Sequence, residues 1–349
     1  MTDQNQAGLL PTGKAENPAG PYDTKVTWCA LYGFLLVTIA FTTYFLGVIV
    51  GPLRLLLFDP PLFRRINGEV IWYSGIPMVI GVTLICWDLF FNVQPLRRWK
   101  SIRHDPPRNT RLTVVLTAYN DEKSIAGSVK DFQAHPLVQR VIVISNNSKD
   151  RTMEMAEKAG ALVFNEERQG YGACVHRALR QALTFEDTEL TVLCEGDLTF
   201  RAFDIDKFLT YIPHADIVNG SRIVEQLQDR DTQLSMYMHY GNLFAGKVLE
   251  LKHLGRISLT DVGTTYKVCR NTALRKLMDR LDPKINLEFN AYFLDTALKN
   301  GLRILECPVS FHPRVGTSKG GNVNNRIATA LGLKMLLGIF VDWKGFGND

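Results

Sequence analysis

The sequence predicts an α/β domain built from βαβ units and preceded by a helical hairpin that enters a membrane. From Leu112 onward, apolar runs of strand length alternate with helical patterns, and polar residues follow several of these runs. Two long segments without charge come before them. Strands that alternate with helices of this length indicate βαβ units, and about 20 apolar residues are enough to span a bilayer.

Composition narrows the class of protein. The chain has 349 residues and a formal net charge of +5, and its basic residues are scattered through the second half. A nucleic-acid polymer is therefore not an expected partner. The six cysteines include no Cys-x-x-Cys pair, which argues against a zinc site or a disulfide framework and favours a reducing compartment.

The first 95 residues divide into a polar tail and a hairpin. Residues 1–25 are polar and predict a disordered tail, and residues 26–95 predict two membrane helices at about 27–52 and 69–92. No charged residue lies between Lys25 and Arg54, whereas Asp88 interrupts the second run. A fully spanning hairpin, a re-entrant hairpin and a buried hairpin of a soluble domain all remain open.

A basic juxtamembrane linker follows at residues 96–111. Arg97, Arg98 and Lys100 open this linker, and only Asp105 opposes its positive charge. Positive residues that flank a membrane helix mark its cytoplasmic side and attract anionic headgroups. We therefore expect an integral membrane protein whose catalytic domain, residues 112–325, lies at the cytoplasmic face.

Polar residues follow three of the four predicted strands of this domain. The four predicted strands are Leu112–Ala118, Val141–Ile144, Ala161–Phe164 and Leu190–Cys194. The first is followed by Tyr119, Asn120, Asp121 and Glu122. The second is followed by Asn146 and Asn147, and the fourth by Glu195 and Asp197. Ligands of open α/β sheets bind beyond the carboxyl ends of the strands. The sequence therefore predicts a binding crevice at this edge.

Glu195 and Asp197, separated only by Gly196, predict a metal site. Mg²⁺ and Mn²⁺ are typically held by one or two carboxylates together with substrate phosphates. An acidic turn after a strand is the alternative. Gly170 and Gly172 open the next predicted helix along the edge, and a helix N-terminus favours phosphate. Together these features predict a nucleoside-diphosphate site; the Gly-x-Gly-x-x-Gly turn of a dinucleotide-binding domain is absent after the first strand.

From about Leu112 onward the chain resembles family 2 glycosyltransferases of GT-A fold, in particular the polyprenyl- or dolichyl-phosphate sugar synthases. The segments that carry this resemblance are Leu116-Thr-Ala-Tyr-Asn-Asp-Glu, Ile144-Ser-Asn-Asn-Ser-Lys-Asp-Arg-Thr, Arg168-Gln-Gly-Tyr-Gly-Ala, Glu195-Gly-Asp and Asp216-Ile-Val-Asn-Gly-Ser-Arg. The resemblance implies a Rossmann-like mixed sheet flanked by helices. The chain departs from the family where asparagines replace aspartates at Asn146 and Asn147 and where Glu195 replaces the first aspartate of the metal triplet.

The resemblance also implies the site residues. Glu195 and Asp197 would hold Mg²⁺ or Mn²⁺, and the expected donor-binding residues are Ala118, Tyr119, Asn120, Glu122, Asn146, Arg168, Gly170, Glu195, Gly196, Arg222, Glu288 and Ser318. Asp197, Asp261, Arg314 and Lys319 are the expected catalytic residues. Asp261 either lies beside the donor or caps a loop, and Glu288 either binds sugar hydroxyls or caps a helix. Arg314 and Lys319 belong to a basic loop that either covers the diphosphate or is simply solvated.

The resemblance implies an inverting transfer of a sugar from a nucleoside-diphosphate donor to a polyprenyl phosphate. An enzyme that adds the sugar to a lipid-linked or surface saccharide is the closest alternative, and a catalytically inactive scaffold tethered to the membrane is another. An oligomer is possible. Residues 327–343 are apolar but contain Lys334 and Asp342, so residues 326–349 are expected to form an amphipathic helix at the membrane interface or against the domain.

Overall fold

Seven strands form one mixed sheet in the computed structural model, which describes residues 26–56, 60–93, 102–254, 256–316 and 325–346. The strands are β1 Leu112–Ala118, β2 Val138–Ser145, β3 Leu162–Asn165, β4 Leu190–Glu195, β5 Ile217–Ser221, β6 Lys267–Arg270 and β7 Ile304–Pro308. Their order in the sheet is β3-β2-β1-β4-β6-β5-β7. Only β6 runs antiparallel to its neighbours, which confirms the predicted α/β fold with a mixed sheet.

The helices fall into a hairpin and the layers that cover the sheet. The hairpin contains α1 Trp28–Leu56, α2 Pro61–Tyr73 and α3 Gly75–Trp87, and a π-helical segment, Asp88–Val93, continues α3. The domain helices are α4 Ile125–Gln133, α5 Thr152–Lys158, α6 Tyr171–Ala182, α7 Ile205–Tyr211, α8 Met236–Lys252, α9 Asn271–Leu277, α10 Phe289–Lys299 and α11 Asn325–Val341.

Both faces of the sheet are buried, which explains why its strands are continuous apolar runs. Val115 and Leu193 pack on one face with α6, α8, α9 and α10. Val114 and Val192 pack on the other face with α4 and α7. Because successive side chains of a strand point to opposite faces, each strand serves both cores. Strands β1, β2 and β4 run parallel to one another, so their carboxyl ends meet at one edge of the sheet.

The hairpin is held together by a close crossing of α1 and α3. A Cβ atom built on Gly33 would lie 2.6 Å from the carbonyl oxygen of Gly81, and the reverse contact is equally short. Two helices, Trp28–Leu53 and Pro61–Val93, are long and apolar enough to cross a membrane by length and composition. The second therefore begins at Pro61 rather than at about residue 69, because the polar residues near its start continue the helix.

Asp88, which interrupts the second apolar run, has a structural role at the start of the hairpin. Its carboxylate is buried and accepts a hydrogen bond of 2.6 Å from the backbone N–H of Ala30, in the first turn of α1. The side chain of Asn92 donates to the other carboxylate oxygen. A carboxylate at a helix N-terminus satisfies free N–H groups and complements the helix dipole. Asp88 thus fixes the end of one hairpin helix to the beginning of the other.

A buried charge cluster joins the hairpin to the domain. Lys252 at the end of α8 is fully buried, and its Nζ lies 2.8 Å from Asp295 of α10 and 2.9 Å from Asp342 after α11. His253 contacts the second oxygen of Asp295 at 2.7 Å. The backbone N–H of Thr27 donates to the Lys252 carbonyl at 2.9 Å, directly before α1 begins. The cluster therefore connects α1, α8, α10 and the end of α11.

We expect Asp295→Asn to destabilise the protein strongly. Removing one partner of a buried ion pair typically costs about 3–5 kcal/mol because the other charge stays buried and unpaired. The apparent melting temperature of the full chain in detergent should fall, whereas the exposed control Asp279→Asn should leave it nearly unchanged. An Asp295→Asn protein as stable as the wild type would contradict this role.

The penalty of Asp295→Asn should also depend on pH. Burial works to raise the pKa of Asp295, but the hydrogen bond from His253 and the charges of Lys252 and Lys299 outweigh it and lower the pKa below the ordinary value. A carboxyl with a lowered folded-state pKa contributes its stability above its unfolded pKa, about 3.9. The free energy of unfolding of wild type should therefore exceed that of Asp295→Asn by a constant amount from neutral pH to about pH 5. This difference should shrink as the pH falls below about 4.

Candidate active site

A crevice of about 320 Å³ lies at the carboxyl edge of β1, β2 and β4. Six of the predicted site residues line it, namely Ala118, Tyr119, Asn146, Gly170, Glu195 and Arg314. The lining also includes Asp121, Tyr171 and Asn286, which the sequence did not identify as donor-binding, catalytic or metal-binding residues. The structure thus brings together the strand ends that the sequence placed at one edge.

The two acids after β4 occupy different environments. Asp197 is buried, and its Oδ1 accepts hydrogen bonds from the backbone N–H and the hydroxyl of Thr199 at 3.0 and 2.6 Å. Its Oδ2 accepts no hydrogen bond from the described residues. Burial, followed by the charge of Glu195, raises the pKa of Asp197 above the ordinary value of a carboxyl. Gly196 lies between them in close contact with α4, because a Cβ there would lie 2.4 Å from Cδ1 of Ile125 and would displace that side chain.

Arg314 supplies the positive charge beside these acids. Its Nη1 lies 3.2 Å from Asp197 Oδ2 and 3.9 Å from Glu195 Oε2, and its Nη2 lies 3.1 Å from Asp121 Oδ1. Arg314 follows β7, so a segment from the far side of the sheet reaches the end of β4. The other cation predicted for this loop, Lys319, and the neighbouring Ser318 lie outside the described residues.

Glu195 is oriented by a hydrogen bond that the sequence did not predict. The hydroxyl of Thr265 donates to Glu195 Oε1 at 2.6 Å, and the Tyr171 hydroxyl contacts Thr265 Oγ1 at 3.2 Å. Oε1 is therefore engaged, and Oε2 is the oxygen nearer to Arg314. Thr265 lies four residues after the predicted catalytic residue Asp261, but nothing in the sequence indicates that this threonine contacts an acid 70 residues away.

Asp261 and Arg222 form a buried ion pair beside this network. Arg222 Nε lies 2.7 Å from Asp261 Oδ2, and Nη2 lies 2.8 Å from Oδ1. The backbone N–H groups of Arg222 and Gly263 donate to the same carboxylate. Burial works to raise the pKa of Asp261, but Arg222 outweighs it and holds the pKa below the ordinary value. Asp261 is therefore an ionised, saturated partner of Arg222 that also caps its own loop.

Residues 113–278, which carry most of this crevice, match the family described as Glycosyl transferase family 2. The domain belongs to that family. The protein is therefore a glycosyltransferase, as its motifs predict.

Several relatives and solved structures are similar to this glycosyltransferase. A dolichyl-phosphate hexose transferase of Haloferax volcanii is 27% identical over 209 residues, which cover 60% of this chain and 86% of that protein. A glycosyltransferase of Mycobacterium tuberculosis named as uncharacterized is 29% identical over 208 residues, covering 59% and 87%. Glucosyl-3-phosphoglycerate synthase from Mycobacterium tuberculosis, solved with Mn²⁺, uridine diphosphate and phosphoglyceric acid, matches with 16% identity and a TM-score of 0.47, covering 67% of this chain and 78% of that one.

The acids of this glycosyltransferase fit a hard divalent cation. Asp197 Oδ2 is buried and accepts no hydrogen bond from the described residues, and Glu195 Oε2 faces the same guanidinium. No group of three or more acidic, histidine or cysteine side chains is arranged as a metal site within the described ranges. A cation held by Glu195 and Asp197 would therefore take its remaining ligands from water and substrate phosphates, which is typical of Mg²⁺.

Asn146 organises the glycine loop of the glycosyltransferase. Its Oδ1 accepts from the backbone N–H of Gly170 at 2.9 Å, and its Nδ2 donates to the carbonyl of Arg168 at 2.7 Å. Gly172 is needed where the loop enters α6, because a Cβ there would lie 1.7 Å from the carbonyl oxygen of Ile285. An aspartate could not donate to the Arg168 carbonyl, so Asn146 binds both sides of the loop through its amide.

Three predicted donor-binding residues hold neighbouring loops and do not line the crevice. Asn120 Oδ1 accepts from the backbone N–H of Lys149 at 2.8 Å, and Glu122 Oε2 accepts from that of Arg151 at 3.2 Å. Arg168 pairs with Glu166 at 3.0 Å. The side chains of Asn120 and Glu122 thus fix the loop after β2 to the loop after β1.

Glu288 lies directly before α10 and does not cap it through its side chain. The carboxylate is buried: Oε1 lies 3.3 Å from Lys334 Nζ of α11, and Oε2 has no hydrogen-bond partner among the described residues. An unpaired oxygen at this position favours the interpretation of Glu288 as a ligand for a sugar hydroxyl over that of a helix cap. Lys334, which interrupts the apolar pattern of α11, is explained by this pairing.

Lys267 is a buried cation that the sequence did not identify as a site residue. Its Nζ donates to the carbonyl of Thr264 and lies 3.2 Å from Asn290 Oδ1. Burial lowers the pKa of Lys267 to about 7. The pKa of an unfolded lysine is about 10.4. Between about pH 7 and pH 10, Lys267 therefore binds a proton in the unfolded chain but is largely neutral in the folded one. This lysine therefore destabilises the fold increasingly as the pH falls from about 10 to about 7.

We expect Lys267→Met to change how stability depends on pH. The free energy of unfolding of Lys267→Met relative to wild type should rise as the pH is lowered from 9.5 to 7.5, by up to about 1.4 kcal/mol per pH unit. Melting curves of both proteins at a series of pH values measure this difference. The exposed control Lys276→Met should show no such trend. A difference independent of pH would mean that Lys267 stays protonated when buried.

Proposed function

We propose that this glycosyltransferase transfers a sugar, with inversion, from a nucleoside-diphosphate sugar to a polyprenyl phosphate at the cytoplasmic face of a membrane. The main support is the state of Asp261, the acid that the resemblance places beside the donor. Arg222 saturates its carboxylate, so it is poorly suited to act as a general base. A phosphate acceptor is already anionic near neutral pH and needs placement and charge compensation rather than a strong base.

The hairpin supports a lipid acceptor. Its helices leave most of their apolar residues exposed, and α1 begins at the charge cluster that holds α8 and α10. Asp88 contacts the first turn of α1, so both ends of the hairpin meet beside the domain. A membrane-inserted hairpin would therefore hold the crevice close to the headgroups. The dolichyl-phosphate hexose transferase relative is consistent with this acceptor class.

The crevice residues would then have distinct roles. A divalent cation held by Glu195 and Asp197 would neutralise charge on the departing nucleoside diphosphate. Arg314 can move its bidentate guanidinium from these carboxylates to a phosphate. Asn146 and Gly170 shape the loop at the start of α6, whose N-terminus favours phosphate. Glu288 offers an unpaired oxygen to a hydroxyl of the sugar.

The second candidate transfers the sugar to a saccharide hydroxyl. The unpaired Oε2 of Glu288 favours it, because such an acceptor needs a base. Purified protein should be incubated with radiolabelled nucleoside-diphosphate sugars and either undecaprenyl phosphate or a lipid-linked saccharide. We expect label in the lipid extract only with undecaprenyl phosphate. Transfer to the saccharide alone would favour the second candidate, and no turnover of any donor would favour an inactive scaffold.

Asp197→Asn should abolish metal binding and transfer together. The substitution removes the charge of the buried carboxylate whose Oδ2 faces Arg314, so Mn²⁺ affinity measured by electron paramagnetic resonance should fall sharply. Transfer should drop by about 10²–10³-fold or more, comparable with the loss of one electrostatic transition-state contact. Asp206→Asn, an exposed acid on α7, is the control. Undiminished transfer by Asp197→Asn would rule out the metal assignment.

A further inference from the structure

An apolar groove of about 200 Å³ separates α8 from α11, outside the crevice. The two helices touch where the Tyr237 hydroxyl lies 2.8 Å from Thr329 Oγ1. Between them, the groove is lined almost wholly by apolar side chains, among them Phe244 of α8 and Leu333 and Met335 of α11. Apolar clefts with a few polar groups are typical of ligand sites.

Two glycines line this groove, Gly241 on α8 and Gly332 on α11. A Cβ atom built on Gly241 or on Gly332 would meet no heavy atom of the described residues within 4 Å. Gly246 of the same helix differs, because a Cβ there would lie 3.0 Å from the backbone of Leu259. A glycine inside a helix costs about 1 kcal/mol relative to alanine. Gly241 and Gly332 therefore keep the groove open at some expense of helix stability.

The outer end of the groove continues into the apolar surface of the hairpin. Phe244 lies 6.3 Å from the Phe34 ring of α1, and the Tyr32 hydroxyl of α1 donates to the Phe340 carbonyl of α11 at 2.9 Å. Phe244 and Leu333 are also partly exposed to solvent. Contiguous exposed apolar surface of this kind marks a membrane or ligand contact.

The inner end of the groove reaches the buried Arg222–Asp261 pair. Asn242 lines the groove, and a Cβ built on Gly263 would lie 2.6 Å from Asn242 Oδ1 and 3.1 Å from Arg222 Nη2. The groove therefore ends beside the Arg222–Asp261 pair. Lys334 lies on α11 between groove residues and is half-exposed, with Glu288 as its partner. Its ammonium group therefore lies beside Glu288, which directly follows the crevice residue Leu287.

We propose that this groove binds the isoprenoid units next to the phosphate of the acceptor lipid. The groove is mostly apolar, joins the hairpin surface at one end and the Arg222–Asp261 pair at the other, and α11, which lines it, carries Lys334 on the side of Glu288. A branched, flexible hydrocarbon with a single anionic end matches this distribution. The inference rests on the proposed function, because it assumes a polyprenyl phosphate acceptor.

The proposal is tested with variants in which a leucine side chain occupies the groove. Gly332→Leu and Gly241→Leu place a side chain in open space and raise helix propensity, so both proteins should fold. Binding of undecaprenyl phosphate to the full chain in detergent, measured by native mass spectrometry, should weaken at least tenfold in each variant. Gly68→Leu, also a helix glycine with open space around it, is the matched control and should bind as wild type.

The outcomes separate the groove from the proposed function. If wild type transfers sugar to undecaprenyl phosphate but the leucine variants bind it normally, the groove is wrong and the acceptor class stands. If wild type neither binds nor glycosylates undecaprenyl phosphate, both proposals fail. If phosphatidylglycerol is lost from the leucine variants to the same extent, the groove is a general lipid contact and the proposal is overturned.

Lys334→Gln tests the polar end of the groove. The substitution should weaken binding of undecaprenyl phosphate severalfold while leaving binding of undecaprenol, which lacks the phosphate, unchanged. Lys344→Gln removes an exposed positive charge beyond α11 and serves as the control. Equal losses for the phosphate and the alcohol would show that Lys334 acts through packing and would remove it from the proposal.

Discussion

The compensation of negative charge at the end of β4 is the constraint on which the site depends. Asp197 is buried with Glu195 beside it, and charges taken out of water are costly unless a partner is close. Arg314 provides that partner and contacts Asp121 as well. The contact places the segment after β7 over the end of β4, although β6 and β5 lie between these two strands in the sheet. The ion pair between Arg314 and Asp197 therefore closes this side of the crevice. A divalent metal bound to Glu195 and Asp197 could take the place of the Arg314 guanidinium.

The joint between hairpin and domain follows the same principle. Lys252 is as buried as any core residue, and Asp295, Asp342 and the Ile339 carbonyl surround its ammonium group. Trp28 of α1 places its ring 4.8 Å from the same group. These groups come from α1, α8, α10 and the end of α11, so the ion cluster can form only when all four helices are correctly placed. The orientation of the hairpin is thereby coupled to the folding of the domain.

The strands of the domain could be predicted because burial on both faces makes them continuous apolar runs that polar residues end. Leu112–Ala118 agrees with its prediction. Strand β2 begins at Val138, three residues before the predicted start at Val141. The prediction missed these residues because they are partly exposed and two of them are polar, so they do not extend the apolar run. The carboxylates and glycines of the site were also predictable, since their chemistry is local. The partners of Asn146, Lys334 and Asp342 were not, because each contact joins residues that only tertiary packing brings together.

Glu195 shows how one departure from the family pattern is accommodated. A glutamate in place of aspartate adds a methylene and one rotatable bond, which would leave the carboxylate less well defined beside Asp197. The Thr265 hydroxyl holds Oε1 at 2.6 Å, and Tyr171 contacts that hydroxyl in turn. Tyr171 begins α6 directly after the glycine loop, so the position of the longer acid depends on the loop that shapes the opposite wall. The acid pair and the glycine loop therefore act as one unit, although strand β1 separates β4 from β2.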